Sequence, residues 1–137
     1  MEKVNFIGQT KGTEIEELIG RGFKGESGAV GIYYGLALVC REKGLYDIAE
    51  GLEKIAKDEA RHAGMYAALN GMVVDDVIAQ LNRFFNVEAN ELKSVTALAE
   101  KAGELGLKEA KEMIAASYFD EENHVKILKE LFEKHSK

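Results

Sequence analysis

Apolar residues recur at spacings of three and four along most of the chain, the mark of helices that bury one side. The first stripe runs through Ile19, Gly22, Val30, Tyr33, Ala37 and Cys40. Thr13 followed by Glu16 reads as a capping box at its start, and Lys43-Gly44 ends it. A second stripe joins Leu45, Ile48, Leu52, Ile55, Ala63, Tyr66 and Leu69 before Asn70-Gly71 stops it. A third begins near Asp75 and passes through Val77, Ile78, Leu81, Phe84, Phe85, Leu92, Val95 and Ala99 to about Gly106. The fourth follows at once, through Leu107, Ala110, Ile114, Ser117, Val125, Leu128 and Phe132. With no proline anywhere, the pattern predicts an all-α domain of four helices over residues 13–137, preceded by a tail, residues 1–12.

The halves of the chain repeat one another. A shift of 62 residues lays Thr13 on Asp75, Glu26 on Glu88 and Gly44-Leu45 on Gly106-Leu107. The same shift lays Glu50 on Glu112, Asp58-Glu59 on Asp120-Glu121 and His62 on His124, without a gap. Two copies of one helical hairpin, related by a pseudo-two-fold axis, are the expected architecture.

On a helical wheel of 100° per residue, each helix aims a carboxylate among its apolar residues. Glu26 falls with Ile19, Val30, Tyr33 and Ala37; Glu59 with Leu52, Ile55 and Ala63. Glu88 falls with Leu81, Phe84, Phe85 and Leu92; Glu121 with Ile114, Val125 and Leu128. His62 and His124 each stand three residues after a core Glu, and Glu91 stands three after Glu88. Clustered carboxylates in a core repel one another and need a positive partner. Lys54, Lys57, Arg61 and Lys126 all fall on outward faces. A pair of divalent cations meets the need. A lone Glu-x-x-His on a helix is ordinarily a solvated face; two at the repeat spacing, each with a core Glu 33 residues upstream of its own, make a metal constellation. Hard carboxylate oxygens with two imidazoles suit iron or manganese, and adventitious zinc would also be accepted. His135, near the end of the fourth helix, lacks the pattern.

Composition narrows the function classes. The net charge of −6, with no basic block, disfavours nucleic acid and anionic membranes as partners. The N-terminus has no apolar run of signal-peptide length and no apolar stretch approaches the ~18 residues of a membrane span, so a cytoplasmic protein is the expectation. Cys40 is the only cysteine, so these residues hold neither an internal disulfide nor a thiolate metal site.

The segments GESGAVGIYY, DEARHAGMY, VEANEL and DEENHVKIL resemble the rubrerythrins, over about residues 11 to 137. The Glu88–Glu91 pair is the more specific element, because the internal repeat places Ala29 at the equivalent position. The resemblance implies a ferritin-like four-helix bundle holding two irons per site, in an enzyme that reduces hydrogen peroxide to water. It implies Glu26 on one iron, joined by Glu91 in the oxidised state and by His62 in the reduced state. Glu88 and His124 would hold the other, with Glu59 and Glu121 bridging. Tyr33 matches a family tyrosine that hydrogen-bonds near the site; Thr96 stands where some relatives carry a second. Many rubrerythrins also carry a four-cysteine rubredoxin domain. With one cysteine here, the electrons are expected from a separate rubredoxin-like donor. Iron storage with ferroxidase activity and a dioxygen-using di-metal oxidase are the competing functions.

Two further expectations concern space and assembly. Gly22, close to the face of Glu26, leaves room for a peroxide or a moving ligand, whereas Gly28, Gly31 and Gly35 on the opposite face permit another backbone, from a second subunit, to approach. Helix two continues roughly 16 Å past Glu59 and helix three starts roughly 20 Å before Glu88. The link from Asn70 to Asp75 spans at most ~18 Å, too little to return the chain in a ferritin-like bundle. Residues 75 to 85 unwind, or the bundle is up-down-up-down, or two chains exchange hairpins in a homodimer. Exchange is the favoured expectation.

Overall fold

The computed structural model describes residues 2–137. Four helices carry the chain: α1 (Glu16–Glu42), α2 (Tyr46–Leu69), α3 (Val77–Glu104) and α4 (Lys108–His135). Among the described residues there is no strand, and the element order and lengths are those of a ferritin-like four-helix bundle. The chain divides into two units, Met1–Asp75 and Asp76–Lys137, each built on one helical hairpin. Met1 of the expected tail lies outside the described residues.

Glycine sets both hairpin turns. Gly44 and Gly106 take φ of 72° and 74°, the left-handed region that costs other residues about 1–2 kcal/mol. This reversal lets Leu45 N–H reach Cys40 O at 2.8 Å and Leu107 N–H reach Ala102 O at 2.9 Å, so each helix end satisfies an orphan carbonyl. The repeat seen in the sequence is thus a repeat of backbone hydrogen bonds. Asn70-Gly71 ends α2 in the same way, with Gly71 at φ 70° and Met72 N–H on Ala67 O at 2.8 Å.

In the first unit small side chains let the helices approach. Ala49, Ala56, Ala63 and Ala67 of α2 are buried, as are Ala37 and Cys40 of α1. Ala37, Cys40 and Ala49 pack with Leu52 at the turn end of the hairpin. In the second unit Ala99 and Ala102 are the buried positions of α3.

The capping box does not form. α1 begins at Glu16, and residue 15 makes no side-chain cap. Thr13 instead turns its hydroxyl to Thr10 O at 2.6 Å, because the preceding segment is itself folded. That segment docks on the end of α2: Gly8 N–H donates to Ala68 O at 2.9 Å and Thr10 N–H to Leu69 O at 3.0 Å. The buried Thr10 hydroxyl lies between Leu69 O and Asn70 Oδ1, while Asn70 Nδ2 donates to Glu16 O at 2.9 Å. α3 starts where Asp76 accepts from Ala79 N–H at 3.0 Å, and it is continuous from Val77, so residues 77–85 do not unwind.

Candidate metal centre

Each hairpin gathers one trio. Glu26, Glu59 and His62 present ligand atoms within 4.8 Å of one another, and so do Glu88, Glu121 and His124. The cause is helical geometry: Glu and His three residues apart share a face of α2 or α4, and the antiparallel neighbour supplies the third group. His62 Nδ1 lies 3.8 Å from Glu26 Oε1. His124 Nδ1 lies 3.5 Å from Glu88 Oε2 and 3.4 Å from Glu121 Oε2. The trios match in exposure as well, with side-chain values of 25% and 29% for Glu26 and Glu88, and 48% and 47% for the two histidines. The equivalence predicted by the repeat therefore extends to geometry. No Lys or Arg ion pair among the described residues involves any of these six; Arg61 pairs with Asp58 and Arg41 with Glu53.

The donor set fits a cation. Glu121 is held above the usual carboxylate range, chiefly because it shares a hydrogen bond with Glu88; burial and the Glu88 charge act the same way, and His124 opposes them. Two carboxyls that share a proton are a place where a metal ion can replace it. A raised carboxyl favours folding while it is protonated, fully below the ordinary range, and the contribution is lost as pH rises through the raised value. Metal-free protein is therefore expected to lose this share of its stability as pH rises through that window. Glu121→Gln, neutral and of the same shape, should flatten the loss. Urea titrations at several pH values in chelator measure it.

Glu91 is exposed, one turn beyond Glu88, and is not part of the second trio. Tyr33 is half-buried two turns beyond Glu26. A shallow depression of about 280 Å³ beside the second trio is lined by Glu88, His124, Ile127 and Leu128.

The room expected at Gly22 is filled. A Cβ there would lie 3.0 Å from Cε2 of Tyr66 and 3.3 Å from Cζ, so the ring rests on the glycine backbone. Tyr66, four residues after His62 and seven after Glu59, meets α1 at Gly22, one turn before Glu26; from the sequence alone it belonged only to the apolar stripe. Its spacing from Glu59, two turns on one face, was the available signal. Gly64, by contrast, has nothing within 4 Å. Gly64→Ala should stabilise the fold by about 1 kcal/mol. Gly22→Ala should lose that gain, since crowding in a packed site costs roughly 1–3 kcal/mol. Paired denaturant titrations separate the two.

Known proteins resolve what the site belongs to. A family model described as Rubrerythrin matches residues 17–80, the stretch that holds the first trio. A reverse rubrerythrin-1 of Clostridium acetobutylicum is 31% identical over 121 residues, covering 86% of this chain and 67% of that protein. The chain belongs to the rubrerythrin family. An uncharacterized protein of Methanocaldococcus jannaschii is 36% identical over 131 residues, 96% of this chain and 93% of that one, so the similarity extends across α3 and α4. No solved structure matches. Membership implies a ferritin-like di-iron domain and suggests oxidoreductase activity, and the two trios are consistent with metal binding; rubrerythrin-like proteins work with redox partners. Among the described residues no helix is long and apolar enough to cross a membrane.

Proposed function

We propose that this protein is a non-haem di-iron peroxidase, reducing hydrogen peroxide to two waters with two electrons from a separate rubredoxin-like donor and two protons. The observation that carries the reading is the pair of equivalent Glu-Glu-His trios, one on each hairpin. Each trio offers three ligands, and the two together supply the set of ferritin-like di-metal proteins, one Glu from each of two helices and a Glu-x-x-His from each of the other two. Glu26, Glu59 and His62 form one half; Glu88, Glu121 and His124 form the other, with Glu91 beside them. Bound as a pair, the irons would supply the two electrons and polarise the peroxide oxygens. Glu59 and Glu121 would hold the ions together with Glu26, Glu88 and His124, and Glu91 and His62 would serve as alternative ligands to one of them. Tyr33 holds or delivers a proton at its phenol oxygen.

The halves meet in this reading by exchange between two chains. α2 runs ten residues past Glu59 and α3 begins eleven before Glu88, so the chain would have to return roughly 31 Å to pair its own halves. Met72 is folded back on Ala67, leaving the span from Met72 to Val77, about 17 Å at full stretch. A homodimer in which α1 and α2 of one chain pack on α3 and α4 of the other needs no such return.

Stopped-flow oxidation of the reduced, iron-loaded protein tests the activity. Peroxide is expected to oxidise it much faster than dioxygen. Faster reaction with dioxygen would instead support an oxidase, and slow reaction with both an iron store. Glu91→Ala should keep the fold and at least one metal ion yet slow steady-state peroxide turnover by tenfold or more, on the order of losing one positioned catalytic group.

A further inference from the structure

From Ser27 to Cys40 the sequence SGAVGIYYGLALVC contains no charged residue. A helix apolar on every side is ordinarily covered on every side. α2 covers one side of α1 through the contacts at Ala37 and Cys40. The side turned away from it carries Gly25, Gly28, Ile32, Gly35 and Val39. Ile32 is 75% exposed, Val39 is exposed too, and a Cβ built on Gly25, Gly28 or Gly35 meets nothing within 4 Å. Three interior glycines cost the helix about 1 kcal/mol each, and no contact within the chain accounts for them.

The internal repeat supplies a control. The residues of α3 equivalent to Gly25, Gly28, Ile32, Gly35 and Val39 are Val87, Asn90, Ser94, Ala97 and Lys101. All five are exposed. Three of the five positions, those of Gly28, Ile32 and Val39, are thus polar on α3, whereas none of the five is polar on α1. The hairpin architecture does not impose the apolar face; something specific to α1 does.

Arg21, Gly25, Gly28, Ile32, Gly35, Val39 and Glu42 follow one another at alternating steps of four and three, a heptad seam. Such a seam pairs with another helix at a crossing angle near 20°. Laid antiparallel on its own copy, it sets each Ile32 against Gly35 of the other chain and each Val39 against Gly28. Glu42 then faces Gly25, one turn from Arg21. Large side chains enter the gaps left by glycines, and opposite charges close both ends. With a net charge of −6, two copies repel over most of their surfaces, and this uncharged face with matched ends is where they can meet. We propose that the outer face of α1 docks a second copy of this chain, antiparallel and about a two-fold axis. The contact involves no metal ligand and stands independently of hairpin exchange and of peroxidase activity.

Single cysteines test it without reading activity. Ile32→Cys and Ser94→Cys are compared in metal-free protein under mild oxidation, with the buried Cys40 left in place and the unmodified chain as its control. Ile32 is exposed, so the substitution leaves the fold intact. The cysteine at position 32 should form an interchain disulfide at least ~10-fold faster than the one at 94, as expected where docking raises the local concentration. Adding Gly28→Lys should remove the excess. Equal rates at the two positions, or an excess that survives Gly28→Lys, would overturn the contact. Arg21→Glu and Glu42→Arg should each lower the rate and together restore it.

Discussion

A chain carrying Glu59→Ala and Glu121→Ala together is expected to lose metal binding while retaining its helices. Both carboxylates sit in the trios, and both are partly buried with no Lys or Arg paired to them among the described residues. Changes to groups that merely support a metal ligand cost roughly 10–100-fold in affinity, so loss of both carboxylates should exceed 100-fold if, as proposed, they hold the ions directly. Calorimetric titration with ferrous or manganous ion measures this, and circular dichroism checks the fold. Stability gives a second reading. At a free metal concentration about 100 times the dissociation constant, binding adds about 2.7 kcal/mol to the folded state. The unmodified protein should show that gain and the double variant none. The metal-free double variant should equal or exceed the stability of the metal-free parent, because it no longer crowds Glu121 against Glu88. Tight binding by the double variant would remove these residues from the centre.

Much of this was legible in the chain because a few local rules decide it. Each hairpin turn needs a residue tolerant of positive φ, and Gly44 and Gly106 announce where the chain reverses. The trios were legible because three residues is nearly one helical turn, so Glu59 with His62 and Glu121 with His124 share a face whatever the tertiary structure. That Glu26 and Glu88 join them followed from their places among the apolar residues of their helices, and the 62-residue repeat made the two equivalent. Other features depend on contacts between segments far apart in sequence. Thr13 reads as a cap from its neighbours, yet its hydroxyl is taken by Thr10, which is itself held by Leu69 and Asn70. The gap at Gly22 reads as open from the glycine alone, and only the ring of Tyr66 on the facing helix closes it. The outer face of α1 lies between these cases. Its glycines are plain in the sequence, and their meaning emerges only beside the side chains that replace them on α3, Val87, Asn90 and Ala97.

Refolding two inactive variants together is expected to restore a working centre. One chain lacks Glu59 and His62, the other Glu121 and His124, so each alone has every centre damaged in one half. Under hairpin exchange, a mixed dimer joins the intact α1–α2 hairpin of the second chain to the intact α3–α4 hairpin of the first. That centre is complete, and its counterpart collects both sets of lesions. Random pairing makes half of the dimers mixed, each with one of two centres intact, so roughly a quarter of the unmodified metal content and peroxide turnover should return. Unfolding and refolding without metal is required, because exchange between folded dimers has to break a whole hairpin interface. The link sets the direction of the expectation: Thr10 and Asn70 fasten the end of α2 and Met72 is folded back on Ala67, which shortens the free link between the hairpins. Freeing that end with Thr10→Val and Asn70→Ala in both variants lengthens the usable link by about three residues, roughly 10 Å, and should lower the recovered fraction by letting some chains close on themselves. No recovery, with mixed dimers verified by mass, would mean that each centre is built from the two hairpins of a single chain.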